Sequence, residues 1–131
     1  MTTVDMVNSP AHYGGKDCKY EAIKIIHDWC LGFSGGNALK YIIRAGRKGD
    51  RLEDLKKAYW YLCDALEIQE GCVESMPPGL SWQITVDEVV DFWFAEASTE
   101  LKFAVHHIRH LEWREAGVVL ATEIRRVSER S

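Results

Sequence analysis

No run of about 18 apolar residues occurs in this chain of 131 residues, so the sequence predicts no membrane span. Residues 1–10 lack the basic and apolar segments of a secretory signal, which predicts that the protein stays in the cytoplasm. The four cysteines form no C-x-x-C pair, and this absence argues against a zinc knuckle. Cys30 and Cys63 lie among apolar residues, and we expect both to be reduced thiols in the core.

Strong net charge is also lacking. The formal charge of −4 argues against general DNA binding. The charge is unevenly distributed, because residues 40–57 hold seven basic side chains against three acidic ones. This local excess of positive charge favours a small anionic ligand over a polyanion, and a solvated basic helix face is the alternative. The basic residues are Lys40, Arg44, Arg47, Lys48, Arg51, Lys56 and Lys57.

Apolar residues recur every three or four positions through most of the chain, which is typical of amphipathic helices. We predict an all-α fold, a compact bundle of five or six helices that follows an extended N-terminal arm. The predicted helices cover approximately residues 17–31, 38–45, 52–70, 86–97, 99–113 and 118–130. The predicted N-caps are Asp50, Thr85 and either Ser98 or Thr99, while Gly32 and Gly117 are predicted to separate helices.

A glycine-rich loop is predicted over residues 33–37, directly before the second helix. Such a loop presents free backbone N–H groups and the positive end of the helix dipole to an anion. Lys40 and Arg44 are four residues apart and project from one face of that helix, and Arg47 and Lys48 follow in a glycine-flanked turn. An ordinary glycine cap with exposed basic residues is the alternative, because neither a G-x-x-x-x-G-K-[ST] nor a G-x-G-x-x-G motif is present.

Other polar side chains supply further candidate ligand groups. In the arm, His12 has the chemistry to bind phosphate or transfer a proton, and Tyr13 to stack on a base, with simple exposure as the alternative. Asp54 and Lys57 are three residues apart on the third predicted helix and are expected to pair. Asp54 has two other predicted roles, which are to orient a basic residue such as Arg44 or to accept a ribose hydroxyl.

Three ordered blocks of residues resemble a phage protein family. Their patterns are V-N-x-P-x-H-Y from Val7, G-N-A-x-K-Y-x-x-R-A-G-x-K from Gly36 and E-D-L-x-K-A-x-x-Y-L from Glu53. The family consists largely of domains of unknown function and includes the nucleotide kinase of T7-like phages, which lacks a Walker A loop. The resemblance spans residues 7–66, about half of the chain.

The resemblance implies a helical, nucleotide-handling homo-oligomer in the cytoplasm of an infected host cell. In kinase members it implies phosphoryl transfer between deoxynucleotides, and it does not single out a catalytic residue. The residues that it implicates in nucleotide and phosphate binding are Asn8, Pro10, His12, Tyr13, Gly36, Asn37, Lys40, Tyr41, Arg44, Lys48, Asp54, Lys57 and Tyr61.

Phosphoryl transfer requires charge stabilisation and in-line positioning more than covalent chemistry. Lys40, Arg44 and Lys48 are predicted to supply the charge. Most enzymes of this kind also use Mg²⁺ held by a carboxylate, and Asp54 is the one well-placed carboxylate in the basic block. We assign no metal ligand and no catalytic base from the sequence.

The C-terminal half offers two weaker alternatives. Asp87 with Asp91, and Glu96 with Glu100, are acidic pairs similar to the Mg²⁺-binding helices of all-α nucleotide pyrophosphohydrolases, whose tighter E-x-x-E and E-x-x-D patterns are missing. His106, His107 and His110 share one predicted helix, and the first and last have a spacing that can bind zinc. A solvated acidic face and exposed histidines are the simpler interpretations.

We therefore predict a nucleotide-binding protein with kinase-like phosphoryl transfer on (deoxy)nucleoside monophosphates. A non-catalytic protein that sequesters a nucleotide signal of host defence is the alternative from another class. A protein that blocks a host enzyme through an acidic surface is a third. One domain is predicted over residues 1–131, with a nucleotide-binding half over 7–70, a linker over 71–79 and a C-terminal helical half over 80–131.

Overall fold

The computed structural model describes residues 18–73 and 83–130. Over these residues the chain forms six helices and no strand, which confirms the all-α prediction for the described part of the chain. The predicted N-terminal arm and most of the predicted linker lie outside the described residues. The helices are α1 (Ala22–Asp28), α2 (Phe33–Arg44), α3 (Arg51–Glu67), α4 (Val86–Trp93), α5 (Thr99–Arg109) and α6 (Trp113–Arg130).

Three of the helices begin at a predicted side-chain cap. Asp50 caps α3, Thr85 caps α4 and Ser98 caps α5. Each side chain accepts a hydrogen bond from the backbone N–H three residues further along, which satisfies one of the free donors of the first turn.

Two glycine predictions are wrong. α2 begins at Phe33, so the segment predicted as a loop is the first turn of a helix whose N-cap is Gly32. Gly117 lies inside α6, where a Cβ would lie 3.9 Å from the Tyr59 ring of α3. The prediction that Cys30 and Cys63 lie in the core is also wrong, because Cys63 is exposed and Cys30 is only half-buried.

α2 and α3 form an antiparallel helical hairpin at the centre of the fold. The end of α2 meets the start of α3 through Arg44 and Asp54, and the start of α2 meets the end of α3 through Ser34 and Asp64. α3 also packs against α6, and α5 packs against both α6 and α2. Fully buried side chains from these helices share one core, including Leu39, Ile43, Leu55, Leu62 and Leu120.

The segment that leads into α4 is tied to the end of α1. The Asp28 carboxylate accepts hydrogen bonds from the backbone N–H of Gln83 at 3.1 Å and of Ile84 at 2.8 Å. Trp29 Nε1 donates to the Ile84 carbonyl at 2.8 Å. Within the described ranges, none of the helices has the length and apolar character needed to span a bilayer.

Candidate functional site

The start of α2 already carries an anion supplied by the protein. Glu70 Oε1 accepts a hydrogen bond from the Gly35 N–H at 2.7 Å, and Glu70 Oε2 accepts one from the Ser34 N–H at 3.0 Å. Trp113 Nε1 donates to the Glu70 carbonyl at 2.9 Å and holds this residue in place. Because Glu70 occupies the donors that a phosphate would need, the structure gives no support to a phosphate cradle at the glycines.

Gly36 and Asn37 make contacts within the protein that support the packing and the first turn of α2. A Cβ on Gly36 would lie 3.0 Å from Ile26 Cγ2, so the missing side chain allows α1 to pack closely against α2. Asn37 Nδ2 donates to the Phe33 carbonyl one turn earlier, at 2.7 Å. Both contacts are internal, and the binding roles predicted for these two residues stay predictions.

Lys40 and Lys57 meet at one aromatic ring, although they come from different helices. Lys40 Nζ lies 4.6 Å from the centre of the Tyr41 ring, and Lys57 Nζ lies 5.5 Å from the same point. The Tyr61 ring is stacked with Tyr41 at a centroid distance of 6.0 Å and an angle of 11°. These four residues form what we call the Tyr41 face, a half-exposed surface with two ammonium groups beside two parallel rings.

Arg44 continues the Tyr41 face by one turn of α2. Its Nε lies 3.5 Å from Asp54 Oδ2, and neither atom has a hydrogen-bond partner among the described residues. The Asp54 side chain is only 4% exposed, whereas that of Arg44 is 28% exposed. Of the predicted roles of Asp54, the orientation of Arg44 is the one that this geometry favours, and the predicted pairing with Lys57 is not observed.

Arg47 is an exposed residue whose guanidinium is engaged by the protein itself. Its guanidinium lies 4.9 Å from the centre of the Trp93 ring and donates to the carbonyls of Ile43 and Trp93. Burial, and to a lesser extent the neighbouring Arg51 charge, lowers the pKa of Arg47. Arg47 therefore ties the end of α2 to α4, and both Arg47 and Lys48 are exposed residues of the same turn.

The turn between α2 and α3 depends on two glycines. Gly46 and Gly49 have φ angles of 83° and 73°, values that side chains other than glycine rarely adopt. This turn brings Arg47 to Trp93, and the role predicted for Lys48 stays a prediction. The arm residues Asn8, Pro10, His12 and Tyr13 lie outside the described residues.

Asp54 does not have the surroundings of a magnesium ligand. Its carboxylate is buried against a guanidinium, which already balances its charge. Over residues 18–73 and 83–130, no group of three or more His, Cys, Asp or Glu side chains is arranged to hold a metal ion. We therefore derive no step through a metal held by Asp54.

The C-terminal residues that suggested metal sites contact each other or nearby cations. His106 Nε2 lies 3.9 Å from Asp87 Oδ1, and His110 Nδ1 lies 2.9 Å from the His106 carbonyl oxygen. Glu100 pairs with Arg126. These contacts give no support to a zinc site or to a pyrophosphohydrolase site.

Two exposed aromatic residues beside the Tyr41 face were missed by the sequence analysis. Phe33 and Trp60 are 64% and 61% exposed, and both rings contact Tyr61. Trp60 also lines a groove of about 420 Å³ together with Lys57. Helical spacing could have indicated both residues. Trp60 lies off the apolar stripe of α3, which predicts exposure, and Phe33 is four residues before Asn37, which predicts that the two share one face of a helix.

Comparison with known proteins points to the same half of the chain. Residues 7–63 match the model of a protein family of unknown function, DUF3310. The DUF3310 segment contains every predicted binding residue and ends inside α3, so α4, α5 and α6 lie outside it. No curated protein and no solved structure matches the chain.

Proposed function

We propose that this protein binds a nucleotide on the Tyr41 face, with its phosphates at Lys40, Lys57 and Arg44. The observation that carries the proposal is the meeting of two lysines from different helices at one tyrosine ring. The two ammonium groups lie 4.6 Å and 5.5 Å from the Tyr41 ring centre, and an anion bound beside this ring would be attracted by both. A nucleotide brings such an anion together with a base that stacks on aromatic rings.

Arg44 is well suited to add a directed contact to the phosphate. Asp54 faces the Arg44 Nε, and the guanidinium has further N–H donors for a ligand. Arginine binds phosphate through two parallel hydrogen bonds, whereas lysine acts as a point charge. Arg44 is partly exposed beside a buried Asp54. This arrangement fits a guanidinium that is oriented by Asp54 on its buried side and contacts a ligand on its exposed side.

Kinase-like phosphoryl transfer between (deoxy)nucleotides is the reaction that the family resemblance favours. The chemistry of this reaction needs positive charge and positioning, both of which the Tyr41 face offers. Any Mg²⁺ would enter with the phosphates of the nucleotide, since Asp54 is engaged by Arg44.

Sequestration without turnover is the second candidate, and the burial of Asp54 favours it. Enzymes that transfer phosphoryl groups between nucleotides commonly use Mg²⁺ held by an accessible protein carboxylate. The carboxylate nearest to Arg44 is buried and faces that arginine. A protein that only holds its nucleotide needs the charged face alone.

Product analysis distinguishes the two candidates. The protein is incubated with deoxynucleoside monophosphates, ATP and Mg²⁺, and the nucleotides are separated by chromatography. New deoxynucleoside diphosphate that disappears in the Lys40→Ala and Lys57→Ala variants, but not in Lys102→Ala, supports the kinase. Nucleotide recovered intact with the protein in near-stoichiometric amount supports sequestration, and failure to bind any nucleotide contradicts the proposal.

The resemblance further suggests a homo-oligomer in the cytoplasm of a phage-infected cell. Val118 of α6 is 62% exposed, and Tyr59 of α3 lies close to the neighbouring Gly117. These two side chains, on α6 and α3, offer exposed apolar surface to a second copy. Light scattering at several protein concentrations measures the subunit number.

A further inference from the structure

Two exposed aromatic rings border the Tyr41 face. Phe33 at the start of α2 is 64% exposed and Trp60 in the middle of α3 is 61% exposed. The Phe33 ring centre lies 5.9 Å from that of Tyr61, and the Trp60 ring centre lies 5.1 Å from it. Both exposed rings therefore contact the same tyrosine, Tyr61, and belong to one aromatic cluster.

The positive charge lies next to the same tyrosine. Tyr61 stacks with Tyr41, and Tyr41 is the ring beside which Lys40 and Lys57 lie. A phosphate bound by these lysines would lie at Tyr41, and each exposed ring contacts Tyr61, the stacking partner of Tyr41. A nucleotide with one base would use one of the rings and leave the other in water.

We propose that the Tyr41 face is a two-base site, whose ligand is a dinucleotide with its phosphate at Lys40 and Lys57. One base stacks on Phe33 and the other stacks on Trp60. This inference rests on the proposed nucleotide binding and adds to it the class of ligand. Stacking of bases on exposed aromatic side chains tolerates any base, because every base has an aromatic face.

The groove beside Trp60 provides polar partners for the second nucleotide. It has a volume of about 420 Å³ and is lined by Lys56 and Lys57 and by the carboxylates of Asp50 and Glu53. Lysines can contact a terminal phosphate there, and carboxylates can accept hydrogen bonds from sugar hydroxyls or base amino groups. Beside Phe33, the carboxylates of Asp64 and Glu70 are already hydrogen-bonded to Ser34.

An interface between two copies of the chain is the competing explanation for exposed aromatic rings. In a two-fold interface the same patch is present on both sides. Lys40 and Lys57 would then face a second set of the same lysines. Asp50 and Glu53 line the groove beside Lys57, whereas Lys40 forms no salt bridge among the described residues. The charge of the patch therefore favours an anionic ligand over a second copy.

Calorimetric titration compares two ligands of matched charge. One is a thymidine dinucleotide with one internal and one terminal phosphate, and the other is thymidine diphosphate, which lacks the second base. We expect the dinucleotide to bind at least about fivefold more tightly, the lower end of the effect of one base–aromatic stack. A long oligothymidylate is the third probe, and it should bind no more tightly per site than the dinucleotide.

Single substitutions test whether Phe33 and Trp60 each stack on one base of the dinucleotide. Phe33→Ala and Trp60→Ala should each reduce dinucleotide affinity to nearly that of thymidine diphosphate. Phe103→Ala is the matched control, since Phe103 is 52% exposed on α5 and should leave both affinities unchanged. Because all three rings are exposed, we expect each variant to fold, and circular dichroism checks this.

The outcomes separate the two proposals. Equal affinity for dinucleotide and thymidine diphosphate overturns the two-base site and leaves nucleotide binding in place. Absence of binding by every probe overturns both. Much tighter binding of the long strand overturns the two-base limit in favour of a strand-binding surface. Loss of dimers in Phe33→Ala or Trp60→Ala, measured by light scattering, overturns the ligand assignment in favour of a subunit interface.

Discussion

Replacing Glu70 by glutamine tests whether the protein supplies its own anion at the start of α2. The carboxylate accepts two hydrogen bonds, from the N–H groups of Ser34 and Gly35. A hydrogen bond to a charged group contributes about 1.5–3 kcal/mol. Glu70 is only half-buried, so water replaces part of the loss, and the amide retains one acceptor oxygen. We therefore expect the free energy of unfolding of Glu70→Gln to fall by about 2 kcal/mol.

Urea denaturation followed by circular dichroism measures this change. Glu67→Gln is the matched control, because Glu67 is an exposed glutamate at the end of α3, three residues before Glu70, and should change stability by less than about 0.5 kcal/mol. Equal midpoints for Glu70→Gln and Glu67→Gln would refute the reasoning.

The same variant also tests the location of the ligand. The proposed phosphate position lies at Lys40 and Lys57 rather than at the first turn of α2. Glu70→Gln should therefore leave nucleotide affinity unchanged when both proteins are folded. A marked gain or loss of affinity would indicate that phosphate binds at the start of α2, contrary to our assignment.

Three further predictions concern the packing and charges of the fold. Gly35→Ala should lower stability by about 1–3 kcal/mol, because a Cβ would lie 2.5 Å from Trp113 Cη2, and an unchanged thermal midpoint would contradict this packing. Asp54→Asn should lower stability by about 1–2 kcal/mol, because it leaves the partly buried Arg44 without its counter-ion, and greater resistance to urea would argue against the pair. The pKa of Glu100 is lowered first by a hydrogen bond from its own backbone and then by Arg126, so its carboxylate stabilises the fold above its ordinary pKa of 4.5. The stability difference between wild type and Glu100→Gln should therefore be present at neutral pH and disappear as the pH falls through the lowered pKa, and a difference independent of pH would contradict the assignment.

The predictions that succeeded depend on neighbours in the sequence. A capping side chain acts on an N–H three residues away, so Asp50 and Thr85 could be assigned directly. Helical spacing likewise predicts that Lys40 shares a face of α2 with Arg44. The antiparallel hairpin brings that face of α2 to Lys57. The short turn between the helices favours a hairpin, but the sequence does not specify which residues of α3 face Lys40.

The predictions that failed depend on distant residues. The start of α2 is helical although it contains adjacent glycines, because Glu70 pairs with its free N–H groups from 35 residues away. Trp113 packs where a side chain on Gly35 would be, and no local pattern reveals that contact. Arg47 has the same local setting as Lys48, and its contact with Trp93, 46 residues away, cannot be read from that setting.

Lysines from α2 and α3 together bind one nucleotide in the proposed function. Calorimetric titration of a deoxynucleoside diphosphate into wild type and into the Lys40→Ala/Lys57→Ala double variant tests it most directly, with Lys102→Ala as the control. Each lysine is expected to contribute about 1.5–3 kcal/mol to binding, so affinity should fall more than about 100-fold in the double variant and stay unchanged in the control. Wild-type affinity in the double variant would contradict the account.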